Sequence, residues 1–374
     1  MYLKKYSFIL VILSLITTSC TETFYPEYED NISVLVVDGK ITNGIGSCEV
    51  RLFRTVKFTD DFDLSPEQDA TVILHNDKGK SEILTENEPG IYTNSSLIIK
   101  GEVGSSYWIE IETLSGDTFE SIPEIMPSAY EINLIYGEGL KSKNIYNLDR
   151  DALQLYFDTK NIDNTSTHLR WQYRESYEWH SPYSNPKKVS QNPAQICFPV
   201  TNFNNISIHN ASSVMVKELD HLPLSIIFDN EVKLQHNYVI DMDLYSITQQ
   251  CYLFWEMMKD LNQGNGNIYD LIPANIIGNI LPCSNNCEVL GYFEASSVRK
   301  KQNLFNTTDF SMQFSDFPEE CESFTINSKL PPDPTKYKIL KVENSGQTKI
   351  YTVHRIVCYE CNIKYPTNKP SFWH

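Results

Sequence analysis

From Ile32 to about Pro127 the apolar residues recur at every second position. Cys48, Val50 and Leu52 alternate with Glu49 and Arg51, and Tyr107, Ile109 and Ile111 alternate with Trp108, Glu110 and Glu112. A period of two puts alternate side chains on opposite faces of an extended chain. Such a segment buries its apolar set only as a half-covered strand in an antiparallel sheet. Further strands are expected at Ile32 to Val37, Ala70 to Leu74 and Thr118 to Ile122. Turn clusters separate them: Asn76-Asp77-Lys78-Gly79, Glu88-Pro89-Gly90 and Ser115-Gly116-Asp117. Short strands at this spacing, with no helical pattern between them, predict an immunoglobulin-like β-sandwich over residues 32–127. Pro123 and Pro127, four residues apart, suit a stiff connector to a second region.

That second region, 128–374, also begins with strands. Trp171, Tyr173, Tyr177 and Trp179 occupy one parity, and Gln172, Arg174, Ser176 and Glu178 the other. Aromatic residues at alternate strand positions are the usual material of a sheet core. Val232 to Leu244 reads as another strand. A helix is expected over about 246–262, because Ile247, Cys251, Phe254, Met258 and Leu261 fall on one face of a 3.6-residue period. Ser246 with Gln249 fits a capping box, and Gly264 fits a C-terminal cap. Leu290 to Val298, Tyr337 to Val342 and Ile350 to Cys358 read as later strand-like pieces. The fold class is therefore mainly β: a sandwich followed by a second β-rich domain with one inserted amphipathic helix. No repeat of fixed period runs through the chain.

The N-terminus decides the expected compartment. Lys4 and Lys5 precede an apolar run from Phe8 to Ile16, which is too short to span a bilayer, so residues 1–19 read as a signal peptide. The run ends in Ile16-Thr17-Thr18-Ser19-Cys20, which resembles a bacterial lipobox with Cys20 as the acylated residue; Thr17 stands where the common pattern has Leu. Several acyl chains on Cys20 would hold the protein stably on a membrane, where one chain would not. Residues 20–31, acidic and broken by Pro26, read as a lipidated tether. Removal of residues 1–19 takes away two lysines and no acid, moving the formal charge from -17 to -19. That charge repels phosphate backbones and excludes nucleic acid as a partner.

Outside the cytoplasm, thiols oxidise. Cys283 and Cys287, and Cys358 and Cys361, have spacings that zinc sites use, but the compartment favours disulfides drawn from Cys197, Cys283, Cys287, Cys321, Cys358 and Cys361, with the pairing open. Cys48 and Cys251 read as buried hydrophobes. The acid clusters Asp60-Asp61-x-Asp63 and Glu319-Glu320-x-Glu322 read as solvated loops, since neither has a calcium-loop pattern. Trp179, His180 and Tyr183, at and after the end of the aromatic strand, are candidates for a ligand-binding surface that takes a small ligand or peptide. No nucleophile elbow, zinc helix or phosphate loop occurs, so no catalytic residue, metal or cofactor is expected.

Several phrases resemble the Bacteroidota outer-membrane lipoproteins of the domain of unknown function 4249 family. They are Leu35-Val-Val-Asp-Gly-Lys-Ile-Thr42, Pro89-Gly-Ile-Tyr92, Gly104-Ser-Ser-Tyr-Trp-Ile-Glu-Ile111, Tyr173 to Tyr183, Ile272 to Ile280 and Leu290-Gly-Tyr-Phe293. The series closes with Cys358-Tyr-Glu-Cys361 and Asn368-Lys-Pro-Ser-Phe-Trp373, so it covers nearly the whole mature chain. Family members often have glycines between the paired cysteines and the terminal Phe-Trp, where this chain has Lys364-Tyr365-Pro366. The genes of this group commonly neighbour TonB-dependent outer-membrane transporters. The resemblance therefore implies an outer-membrane accessory or binding role in nutrient uptake, with such a transporter as partner, and it supplies no catalytic residues. A structural or adhesive surface module is the rival expectation, and a hydrolase assembled from distant residues is a third.

Overall fold

The computed structural model describes residues 33–44, 48–55, 65–161, 168–183, 195–212, 218–263, 277–283, 288–315 and 317–373. The expected leader, Cys20, the expected tether, the Asp60 to Asp63 cluster, Gly264 and Cys287 lie outside these. Among the described residues the chain is mainly β, with a single α-helix at Gln249–Gln263.

A nine-stranded sheet is the spine of the molecule. Its centre is the 17-residue strand Val289–Phe305. The first half of that strand pairs in parallel with Leu35–Thr42, and the second half pairs antiparallel with Tyr238–Ile247. Beyond these lie Cys48–Arg54 on one side and His168–Tyr177, then Val200–Asn210, on the other. Odd residues of the central strand, such as Phe293, Ala295 and Phe305, turn to one face, and Leu290, Tyr292 and Glu294 to the other.

The odd face is apolar at its two ends, with Arg299, Lys301 and Asn303 of the central strand between them, and each end is covered. At one end, Val72, Leu74, Ile109, Ile111 and Phe119 from a six-stranded sheet meet Leu35, Val37, Val50, Leu52 and Phe293 in one core. At the other end, Leu153, Leu155 and Phe157 from the sheet of Tyr130–Lys143, Asp149–Asn161 and Glu218–Phe228 meet Leu169, Trp171, Ile240 and Met242. Each fully buried side chain of this size contributes about 1.5 to 3 kcal/mol by leaving water. In the first core the Phe293 ring lies across Gly39, where a Cβ would stand 2.8 Å from the ring. Gly291 likewise has φ of 112° and backs onto the carbonyl of Val37, a position closed to any side chain.

The pairing crosses the proline connector. Strands Val289–Phe305 and Ile280–Pro282 complete both sheets of the first region, and Ile280, Phe293 and Ala295 belong to its core. The line drawn at residue 127 thus does not part the hydrogen bonding. Two expectations need correction. The strand expected from Val232 begins at Tyr238, because Gln235 N–H closes a turn onto the Val232 carbonyl at 3.0 Å. The helix begins after Thr248 instead of Ser246: Thr248 Oγ1 accepts from Cys251 N–H at 3.1 Å, whereas Ser246 is still in a strand and accepts from Tyr130 N–H.

Candidate functional site

Over the middle of the spine the even face is polar. Arg170, Gln172 and Arg174 alternate along His168–Tyr177, and they stand opposite Tyr245, Asp243 and Asp241 of the neighbouring strand. Lys300 of the central strand stands opposite Asp243 from the other side. Arg174 pairs with Asp241 at 2.7 Å and Lys300 with Asp243 at 3.0 Å, which makes a ladder of opposed charges across three strands.

Two elements wall this face. The helix lays Cys251 and Phe254 against Tyr245, Tyr292 and Val298. Its start is pinned because Thr248, besides capping, donates its hydroxyl to Glu124 at 2.7 Å, and Tyr292 donates to the other oxygen of the same carboxylate. Burial pushes the Glu124 carboxyl above its ordinary range, and these two hydrogen bonds only partly oppose that. At the far end, Phe372 and Trp373 cover Phe198 and Val239. There Gln302 donates to the Phe372 carbonyl, and the Arg174 guanidinium lies 4.2 Å from the Phe372 ring.

Between helix and tail runs a trough of two cavities that share Gln172. The larger, about 580 Å³, lies under the helix between Trp255, Met258, Leu290 and Val36, with Asp38 and Lys40 on its floor. The smaller, about 260 Å³, lies over the charge ladder. Across both, the cations Lys40, Arg51, Arg170, Arg174 and Lys300 are matched by five acids, Asp38, Glu49, Asp241, Asp243 and Glu294. The trough is therefore charge-balanced on a chain of formal charge -17.

Its deepest group is the pair Arg170 and Glu294, 2.9 Å apart and nearly buried. Glu294 also accepts from Ser296 Oγ at 2.6 Å, Trp255 Nε1 at 3.0 Å and Cys251 Sγ at 3.4 Å. Burial alone would raise the Glu294 carboxyl, but the Arg170 charge and these donors outweigh it and hold the group below the usual range. The Arg170 guanidinium is packed between the rings of Tyr245 and Trp255, at 4.4 and 4.8 Å. A guanidinium held so tightly is a preorganised donor, and its Nε is buried without a hydrogen-bond partner. The arrangement suits a ligand with an apolar part under the helix and hydrogen-bonding groups over the ladder.

The residues expected to form a ligand surface lie elsewhere. Trp179 is 1% exposed and packs with the disulfides, so it is core and not surface. His180 stacks on His236, with ring centres 3.7 Å apart; burial, then the nearby His180, holds the His236 imidazole below its ordinary value. Tyr183 stacks on His354 at 4.4 Å and donates to the Cys321 carbonyl at 3.2 Å. Trp179 and Tyr183 thus serve the packing around the cysteine cluster, whereas His180 packs on His236.

The disulfides join Cys197 to Cys361 and Cys321 to Cys358. The cysteines of Cys358-x-x-Cys361 are therefore not partners of each other, and their thiols are not available to zinc. Cys283, expected among the disulfide cysteines, is a free, exposed thiol, and Cys48 and Cys251 are buried as expected. Among the described residues no group of three or more His, Cys, Asp or Glu could hold a metal ion. Sequence reasoning passed over Arg170, Trp255 and Glu294. The signal present was the polar parity of the aromatic strand, which a one-sided reading assigns to solvent.

The family model for a domain of unknown function, DUF4249, matches residues 21–302. The trough residues fall inside this match, whereas both disulfides use cysteines beyond it. A comparison with curated proteins found no match.

Proposed function

The chain belongs to the DUF4249 family, and from that membership we propose that it is a lipid-anchored envelope protein, a binding or accessory subunit that works with a TonB-dependent outer-membrane transporter in nutrient uptake. The reading is of a non-enzymatic protein. Cys20, directly after an apolar leader segment, supports the anchor, and the family resemblance supports the transporter. The observation that carries the binding role is the charge-balanced trough, whose groups are held in place before any ligand arrives. Preorganised pairs of this kind lower the ordering cost of binding.

Affinity capture through the full-length, anchored protein from native outer membranes is expected to recover a β-barrel transporter. Repeated recovery of none overturns the transporter reading. Gene deletion that alters attachment or envelope integrity while leaving uptake intact would favour the structural or adhesive module instead.

A further inference from the structure

Residues 321–358 form a unit of their own on the molecule. The Cys321–Cys358 bond closes its neck. Beyond the neck stand the three strands Phe324–Ser328, Tyr337–Ser345 and Thr348–Arg355, which pair only with one another. Tyr351 and Val353 are the only buried side chains of these three strands. Aliphatic residues remain at the surface: Leu330 is 74% exposed, Ile339 40%, Leu340 45% and Val342 48%.

The charge of this unit opposes that of the rest. Residues 321–358 carry Lys329, Lys336, Lys338, Lys341, Lys349 and Arg355 against Glu322, Asp333 and Glu343, a net +3 on a chain of -17. Of the six cations, Lys341 alone makes an ion pair among the described residues, with Glu343. Lysines on the outer strand Tyr337–Ser345 discourage edge-to-edge pairing, which accounts for Lys338 and Lys341. It does not account for Lys329 and Lys336, which lie in the connection between strands, or for Lys349 on the central strand, and all three are exposed.

We propose that this disulfide-necked sheet is a docking surface for an anionic lipid bilayer. Opposite charge supplies the attraction, worth about 1 kcal/mol for each lysine or arginine near such a surface. The composition favours lipid over an acidic protein. Protein interfaces enrich Tyr, Trp and Arg and are depleted in Lys, whereas five of these six cations are lysines set among exposed aliphatic residues. Lysine stems lie along apolar surface and lift their charge to the headgroups, and exposed Leu, Ile and Val enter the interface beside them. The acidic body repels the same surface, but salt screens it beyond about 10 Å. The inference goes beyond the transporter reading and stands or falls separately from it.

The test uses the full chain with Cys20→Ser, so that no acyl chain contributes. Its co-sedimentation is compared on vesicles of phosphatidylcholine alone and of phosphatidylcholine with phosphatidylglycerol. Binding is expected to the second kind only and to weaken as salt is raised. The triple variant Lys329→Gln/Lys336→Gln/Lys349→Gln touches no buried group and is expected to bind about 100-fold more weakly. Lys141→Gln/Lys160→Gln/Lys259→Gln removes the same charge from the body and is expected to bind like the parent. Circular dichroism verifies that both variants fold. Equal binding to both kinds of vesicle, no binding to either, or an equal loss in both variants overturns the proposal.

Discussion

The two ends of the chain reach order by different routes. The core around Phe293 gathers side chains from residues 35 to 295 across two sheets, and its cysteine, Cys48, is simply one more buried apolar group. The sheet of residues 324–355 has two fully buried side chains and a covalent neck. A small sheet does not bury enough apolar surface to offset the entropy of ordering itself, so the cross-link carries part of what the core carries elsewhere. The difference teaches where each region is vulnerable: the first to a lost side chain, the second to a reductant.

The largest expected effect comes from that contrast. Reduction of the disulfides is expected to destabilise the C-terminal unit by about 4 kcal/mol for the Cys321–Cys358 bond alone, whose closed loop spans 37 residues. Hydrogen exchange should show the amides of 324–355 losing protection while those of Val289–Phe305 keep it; loss of both together breaks the comparison. The converse variant, Phe293→Ala, is expected to cost about 3 to 5 kcal/mol and to leave the stapled sheet protected, as read in a urea titration followed by exchange.

Glu294→Gln is expected to cost about 3 kcal/mol, since it leaves the Arg170 charge buried without its carboxylate. The pH dependence sharpens this. Because Glu294 is held below its ordinary value in the fold, its contribution is present above that value and is lost as pH falls through the lowered one. Glu124 is raised, so its contribution has the opposite sign, full in acid and lost as pH rises past the ordinary glutamate range. Urea titrations at several pH values should therefore show Glu294→Gln flattening the acid loss, and Glu124→Gln removing the decline at higher pH. The smallest effect expected is that of Thr248→Ala, about 1 kcal/mol through the helix cap, measured as a shift in the urea midpoint.

Much of this architecture was legible as period. Cys48, Val50 and Leu52 are buried, and so are Tyr107, Ile109 and Ile111. Cys251 and Phe254 face the core from the helix. The same rule was available for Leu153, Leu155 and Phe157, which alternate with Gln154 and Tyr156 in a strand that went unnamed. The candidate site was far less legible. Arg170 and Glu294 are 124 residues apart, and neither belongs to a local motif. Trp179 and Tyr183 looked like the end of a strand and the loop after it; they became packing for disulfides whose partners lie up to 164 residues away.

What the sequence by itself determined was the apolar face of the strands it marked, the course of the helix to within two residues, and a set of cysteines that includes the four that form disulfides. These properties are local, because side-chain direction repeats every two or 3.6 residues whatever the neighbours are. Only the tertiary structure decided that Val289–Phe305 joins the two regions, that Cys358 and Cys361 part to different partners, and that alternating charges on three strands close into one trough. Strand pairing depends on burying faces far apart in the chain, and each face is compatible with many partners until the whole core is assembled.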